Sequence, residues 1–184
     1  MLAIVLAAGQ GKRLRPYTET TPKCLIQVGE LPILHHQLAA LQKTGISDII
    51  LVLGYKANIV KDYVQRHFSS ALNIPFVYNP YYADTDSFYS MALALDAIPK
   101  SYTGNTLQLN GDVLFDPQIV TRLTTLDPDK SYTVVKYKTC DPEDVKAVLA
   151  ADGSVIRLSK RADPLRRCLD ISFRIKRRSL VCFS

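Results

Sequence analysis

The run Leu2–Ala7 is continuously apolar and passes directly into a polar loop, residues 8–23, that contains two glycines and two prolines. An apolar run of this length, ended by glycine, is typical of a central parallel strand that is buried on both faces. Glycines at positions 9 and 11 allow positive φ and let a ligand approach the main chain closely. A chain that opens in this way is constrained to a fold in which its first strand is central.

Strand and helix patterns then alternate along the chain. Further strands are predicted over residues 48–54, 74–78, 106–110, 132–137, 147–150 and 155–158. Helices are predicted after Pro32 as far as Gly45, and over residues 56–68, 87–98 and 118–126. This order predicts an α/β fold, with an open, mostly parallel sheet and helices on both faces. Such sheets bind ligands outside the carboxyl ends of their strands, where residues 8–23 and 110–112 are expected.

The net charge of +6 is concentrated near the C-terminus. Residues 1–160 carry a net charge of +1 and residues 161–184 a net charge of +5. The body of the protein therefore gives no electrostatic indication of a nucleic-acid partner. Residues 1–160 are predicted to form one domain, incomplete at its C-terminal end, and residues 161–184 an irregular basic tail. We interpret the tail as a truncated or frame-shifted end, with a solvated tail as the alternative.

The first eight residues are unlike a secretion signal, because the basic residues follow the apolar stretch instead of preceding it. No apolar run approaches the roughly 18 residues of a membrane helix, so no membrane association is expected. We predict a cytoplasmic protein. The cysteines form no C-x-x-C pair, and a zinc site or disulfide framework is not expected; they are Cys24, Cys140, Cys168 and Cys182.

The first loop combines glycines with positive charge. Its backbone N–H groups are expected at a carboxyl edge of the sheet, where they suit a phosphate group. Three phosphates also need cations, and the loop supplies Lys12, Arg13, Arg15 and Lys23. The spacing excludes a Walker A motif, and it excludes a dinucleotide fingerprint because Leu14 replaces the third glycine and Gly54 the acidic residue.

The longer pattern Leu6-Ala7-Ala8-Gly9-x-Gly11-x-Arg13-Leu14-x-Pro16-x-Thr18-x-x-x-Pro22-Lys23 resembles the signature of the sugar-phosphate nucleotidyltransferase family. The resemblance continues to Asn110-Gly111-Asp112 and covers roughly residues 2–160. It implies a Rossmann-like sheet of the nucleotide-diphospho-sugar transferase type. It also implies transfer of NMP from an NTP to a small phosphorylated acceptor, such as a sugar 1-phosphate or a phosphocholine-like compound, with release of pyrophosphate.

The resemblance implies a role for several residues. Backbone groups of Leu6, Ala7, Ala8 and Gly9 would hold the base and ribose. Gly11 and Arg13 would hold the triphosphate, with Arg13 stabilising the departing pyrophosphate, and Lys23 would bridge the α-phosphate and the attacking phosphate. Asp112 would ligate Mg²⁺, which prefers oxygen ligands such as a carboxylate on a tight turn. Arg13, Lys23 and Asp112 are the predicted catalytic residues.

The segment after the third strand is expected to read the base, which makes Asn79 and Ser87 candidates. The block Thr85-Asp86-Ser87-Phe88-Tyr89-Ser90 resembles that of bacterial phosphocholine cytidylyltransferases, with Asp86 and Ser87 in place of two asparagines. Tyr81, Tyr82 and Tyr89 are candidates to face a quaternary ammonium group, with ordinary packing as the alternative.

The resemblance also implies a second acidic metal ligand in a later region. There the sequence offers Asp163 and Asp170, both in the predicted tail. The alternative to a complete enzyme is therefore a catalytically weak or inactive nucleotide-binding remnant, or a regulatory domain.

Overall fold

The computed structural model describes residues 1–136 and 145–159, together with the backbone of 168–176. Its strands are β1 (Leu2–Ala7), β2 (Gln27–Val28), β3 (Leu31–Pro32), β4 (Ile49–Leu53), β5 (Phe76–Tyr78), β6 (Asn105–Asn110), β7 (Tyr132–Lys136), β8 (Lys146–Leu149), β9 (Val155–Ser159) and β10 (Cys168–Lys176). Its α-helices are α1 (Tyr17–Thr20), α2 (Ile33–Lys43), α3 (Ala57–Phe68), α4 (Ser87–Asp96) and α5 (Pro117–Thr125). Two 3₁₀ turns, Lys12–Leu14 and Lys23–Leu25, lie within the first loop and at its end.

The main sheet has the order β5-β4-β1-β6-β10-β8-β9, and β7 also pairs with β10. The four strands from β5 to β6 are parallel, with Ala3 opposite Ile49 on one side of β1 and opposite Leu107 on the other. The first strand is therefore central, and the predicted open, mostly parallel α/β sheet is confirmed. The strands beyond β6 pair in antiparallel fashion.

Two apolar cores cover the two faces of this sheet. Ala3 and Val5 point into a core that contains residues of α2, α3 and α5. Leu2, Ile4 and Leu6 point into a second core, formed with α4. Successive side chains of a strand point to opposite faces, so a strand buried on both sides must be apolar at every position. The predicted placement of helices on both faces is confirmed.

The local sequence explains where two of these elements begin. Strand β5 begins at Phe76, directly after Pro75, which has no N–H to donate to a ladder. Helix α4 begins at Ser87 because the carboxylate of Asp86 accepts hydrogen bonds from the N–H groups of Phe88 and Tyr89. The structure also contains the small antiparallel pair β2–β3, which the sequence pattern does not indicate.

Strand β10 lies inside the segment predicted as an irregular tail. It pairs antiparallel with β6, with Phe173 opposite Gln108, so an irregular conformation is wrong for these nine residues. The missed signal is the alternation of apolar and polar residues from Leu169 to Lys176, which is typical of a strand. Residues 160–167 and 177–184, including Asp163, lie outside the described residues, and the domain boundary at residue 160 stays a prediction.

Over the described ranges, no helix combines the length and apolar character needed to cross a membrane.

Candidate functional site

A cavity of about 260 Å³ lies at the carboxyl ends of β1, β5 and β6. This is the edge at which parallel α/β sheets bind ligands. The lining comes from four segments: the end of β1 with the first loop, the turn that begins at Lys23, the connection from β5 into α4, and the turn after β6. The lining residues are Leu6, Ala7, Ala8, Gly9, Lys23, Cys24, Asn79, Tyr82, Thr85, Asp86, Ser87, Ser90, Asn110, Gly111 and Asp112.

Most of the residues predicted for the site meet in this cavity, although they come from distant parts of the sequence. Those that line it are Leu6, Ala7, Ala8, Gly9, Lys23, Asn79, Ser87 and Asp112. Gly11 and Arg13 do not line it. They lie further along the first loop, where Gly11 has a φ of 62° and the exposed Arg13 belongs to the following 3₁₀ turn. Of the four cations of this loop, Lys23 therefore lines the cavity, whereas Lys12, Arg13 and Arg15 lie outside its lining.

Lys23 and Asp112 form an ion pair at the cavity wall. The Nζ of Lys23 donates a hydrogen bond to Oδ2 of Asp112, and about a third of each side chain is exposed. A cation and a carboxylate that both face the cavity provide one group for phosphate oxygens and one for a metal ion. The pair joins the first loop to the turn after β6.

Gly111 allows Asp112 to lie this close to β1. The N–H of Gly111 donates to the carbonyl of Leu6 at 2.8 Å. A Cβ at position 111 would lie 2.8 Å from that carbonyl oxygen and 3.0 Å from Cα of Ala7. A residue larger than glycine would therefore push the turn, and Asp112 with it, away from β1.

Gln37, a residue of α2 that was not predicted to belong to the site, holds the same turn from the side of that helix. This residue of α2 is almost fully buried, and its Nε2 donates to the carbonyls of Asn110 and Val113, each at 2.7 Å. These two carbonyls flank Gly111 and Asp112. The one available signal was a glutamine at a core position of an otherwise apolar helix face, beside Leu34, Leu38 and Leu41.

Asn79 has a different environment from the one expected of a base-reading side chain. It is 1% exposed, and its Nδ2 donates to Thr85 Oγ1 at 3.1 Å and to Ser90 Oγ at 3.0 Å. Its Oδ1 accepts from the N–H of Tyr81 at 2.9 Å. Both amide hydrogens are thus used within the connection from β5 to α4. Asn79 fixes that connection, whereas Ser87, at the start of α4, is an exposed residue that lines the cavity.

The three tyrosines predicted to face a quaternary ammonium group do not form a single cluster. Only Tyr82 lines the cavity, and its Cβ would lie 2.6 Å from a Cβ at Gly54. The rings of Tyr81 and Tyr89 contact each other edge to face, with centroids 5.9 Å apart. Tyr81 and Tyr89 therefore pair with each other outside the cavity lining, and both stay exposed.

Cys24 is a buried free cysteine next to the ion pair. Burial raises the pKa of its thiol to about 12, which outweighs a backbone hydrogen bond that lowers it, and the negative charge of Asp112 contributes in the same direction as burial. The thiol is therefore neutral at physiological pH and acts as a small apolar residue.

The cavity offers a carboxylate that suits a metal ion together with substrate phosphates, Asp112. Among the described residues, no group of three or more His, Cys, Asp or Glu side chains is arranged around a common point. Mg²⁺, however, is commonly bound through one or two carboxylates together with substrate phosphates and water. Asp112, beside a cationic loop, fits that mode of binding.

Comparisons with known proteins identify the family of this chain. The sequence profile described as MobA-like NTP transferase domain matches residues 3–163. The choline-phosphate cytidylyltransferase of Streptococcus pneumoniae is 43% identical over 102 residues, which make up 55% of this chain and 42% of that protein. The choline-phosphate cytidylyltransferase of Haemophilus influenzae is 31% identical over 158 residues, or 86% of this chain and 62% of that protein.

A solved structure extends the similarity over nearly the whole chain. The structure of the CTP:phosphocholine cytidylyltransferase from Streptococcus pneumoniae superposes with a TM-score of 0.73 at 29% identity. The superposition covers 95% of this chain and 70% of that chain. The aligned part of this chain corresponds to about half of the length of the two choline-phosphate cytidylyltransferases, at 42% and 62%.

Proposed function

The chain belongs to the MobA-like NTP transferase domain family, and from that membership we propose that it transfers NMP from an NTP to a small phosphorylated acceptor, releasing pyrophosphate. The observation that carries the proposal is the pairing of Lys23 with Asp112 at the carboxyl edge of the sheet. A lysine and a carboxylate that face one cavity, next to a loop with further cations, match the needs of a reaction between two phosphates.

The reaction would be an in-line attack of an acceptor phosphate oxygen on the α-phosphorus of the NTP. Both reactants are anions, so catalysis consists mainly of positioning them and of neutralising their charge. Lys23 would contact the attacking phosphate and the α-phosphate, because its Nζ lies at the cavity wall. Arg13, further along the loop, would stabilise the pyrophosphate as it departs, with a planar guanidinium suited to bidentate contacts.

The base and ribose would occupy the cavity itself. Its wall is formed on one side by the backbone from Leu6 to Gly9 and on the other by Ser87 and Thr85. Asp112 would hold Mg²⁺, which supplies charge neutralisation for the phosphates when bound. The bond between Lys23 and Asp112 keeps the carboxylate turned toward the loop.

Cytosine is the base that we propose, with phosphocholine as the first acceptor to test. This choice comes from the names of the relatives: both choline-phosphate enzymes are cytidylyltransferases, and a third relative, from Campylobacter jejuni, is a CTP:phosphoglutamine cytidylyltransferase. A sugar 1-phosphate remains the second acceptor class, because mannose-1-phosphate guanyltransferases also match this chain.

The proposal is tested by two measurements on the full chain with Mg²⁺. Calorimetric titration with each of the four NTPs and with inorganic triphosphate should give the tightest binding for CTP. An assay of pyrophosphate release should then show turnover with CTP and phosphocholine. Equal affinity for CTP and inorganic triphosphate would contradict the base-reading part. Tight CTP binding without pyrophosphate release from any acceptor would favour a nucleotide-binding or regulatory domain instead.

A further inference from the structure

Tyr55 contacts the first loop at two distant points. It follows Gly54 at the end of β4, and its backbone N–H donates to the carbonyl of Ala8 at 2.9 Å. Its hydroxyl donates to the carbonyl of Thr18 at 3.0 Å and lies 3.3 Å from that of Glu19. One residue thus bridges the start of the loop, directly after β1, and its far side in α1.

A third hydrogen bond closes the loop from within. Thr18 is 1% exposed, and its Oγ1 donates to the carbonyl of Gly11 at 3.0 Å. Gly11 is packed closely, since a Cβ there would lie 3.0 Å from both Thr18 Cγ2 and Lys23 Cβ. The hydroxyl of Tyr55 therefore holds the residue that in turn fixes Gly11, and Gly11 directly precedes the turn that contains Lys12 and Arg13.

Tyr55 also contacts the other wall of the cavity. Its ring lies 6.1 Å from that of Tyr82, measured between centroids, and Tyr82 lines the cavity. Gly54 makes this approach possible, because a Cβ there would lie 2.6 Å from Cβ of Tyr82 and 2.7 Å from the Ala8 carbonyl. Tyr55 thus stands between the cationic loop and the connection from β5 to α4.

We propose that Tyr55 is a positioning residue that holds the loop between Ala8 and Thr18 in the conformation that receives the triphosphate. This inference rests on the proposed function. Tyr55 does not contact the reacting atoms; it acts through Thr18 and Gly11. Ordering a loop before a ligand binds removes part of the entropic cost of binding. Loss of the Tyr55 hydroxyl should therefore weaken the binding of the β- and γ-phosphates more than the binding of the base.

The first test needs no ligand. Tyr55→Phe removes the hydroxyl and keeps the ring, so the loop should open more often, and trypsin should cleave after Lys12 and Arg13 faster than in the wild type. We expect an increase of about 5-fold, the order expected for loss of one hydrogen bond. Tyr63→Phe is the matched control. It removes a hydroxyl that is 2.9 Å from His35 Nδ1, between α2 and α3, and should leave cleavage at these two sites unchanged.

The second test compares two nucleotides by calorimetry. In Tyr55→Phe, the Kd for CTP should rise by about 5-fold, while the Kd for CMP stays at its wild-type value. Unchanged cleavage after Lys12 and Arg13, or equal weakening of CTP and CMP, would overturn the inference. If wild-type protein bound neither nucleotide, the proposed function would fail, and the protease experiment would still decide whether Tyr55 holds the loop.

Discussion

Lys23 and Asp112 are 89 residues apart in the sequence, and their side chains are joined by a hydrogen bond from Nζ to Oδ2. The contact exists because two parallel neighbours, β1 and β6, end at the same edge of the sheet. It places a group that suits phosphate oxygens next to a group that suits a metal ion.

Lys23→Ala should reduce turnover far more than it reduces CTP affinity, because we propose that Lys23 acts mainly on the attacking phosphate and the α-phosphate. Loss of a comparable electrostatic contact typically lowers kcat by about 10²–10³. Steady-state kinetics and calorimetry measure the two effects separately. Lys43→Ala, at the exposed C-terminal end of α2, should match the wild type in both. Equal losses in kcat and in affinity would instead identify Lys23 as a uniform binding residue.

Asp112→Asn should increase the Mg²⁺ concentration that gives half-maximal turnover. The amide keeps the shape of the carboxylate but loses its charge. We expect the required Mg²⁺ concentration to rise at least about 10-fold, because losing a residue that only hydrogen-bonds a metal ligand already lowers metal affinity by that factor. Asp116→Asn is the control, because it removes the same single negative charge at a different position. It lies outside the cavity, and asparagine can replace aspartate as the N-cap of α5. A Mg²⁺ dependence that was identical in both variants would contradict the role of Asp112.

Gln37→Met should lower both stability and Mg²⁺ affinity. Methionine has a similar shape but leaves the carbonyls of Asn110 and Val113 without their donor, and a buried group left unpaired costs about 1–3 kcal/mol. Denaturant unfolding measures this change. The Mg²⁺ requirement should rise as well, by less than in Asp112→Asn, because the turn that presents Asp112 is no longer held. Gln42→Met, on the exposed face of the same helix, is the control. Lower stability with an unchanged Mg²⁺ requirement would limit Gln37 to a structural role.

Cys24 should resist alkylation in the folded protein. With its pKa raised to about 12, a fraction of only roughly 10⁻⁴ of the thiol is ionised at pH 8, and the thiolate is the reactive form. Peptide mapping after iodoacetamide treatment should find Cys24 unmodified at pH 8 in native protein and modified in urea.

The raised pKa of Cys24 also makes the stability of the folded protein fall at high pH. Its folded-state pKa lies above the unfolded value, so the associated stability is complete below about pH 8.5. It is lost as the pH rises toward 12. The fall in stability above pH 9 should be shallower in Cys24→Ala than in the wild type, as measured by urea unfolding.

The sequence predicts those elements of the fold whose apolar pattern corresponds directly to their burial in the structure. Leu2–Ala7 and Ile49–Leu53 are apolar at every position, and both are buried strands. Because parallel strands end at one edge, the meeting of the first loop with Asp112 also followed from the sequence. The alternating pattern of β10 was missed because the many basic residues around it were interpreted as an irregular, truncated or frame-shifted end.

Side-chain contacts inside the site could not be predicted in the same way. The sequence showed that Asn79 follows a strand, but not that Thr85 and Ser90 occupy both of its amide hydrogens. Gln37 has its role only because the turn after β6 passes over α2, which depends on how the helix packs on the sheet. Such contacts follow from tertiary packing and have no periodic signal.

The two neighbours of β1 in the sheet are both encoded after it, and the second is far downstream, with Leu2 opposite Thr106. On the ribosome, the first strand therefore emerges long before one of its partners exists. A nascent chain that ends near residue 100 contains β1, β4 and β5 but has no Asp112 to meet Lys23. Pairings this distant in sequence also form slowly, because a long loop must close first. The proposed nucleotide site therefore cannot be complete before β6 pairs with β1.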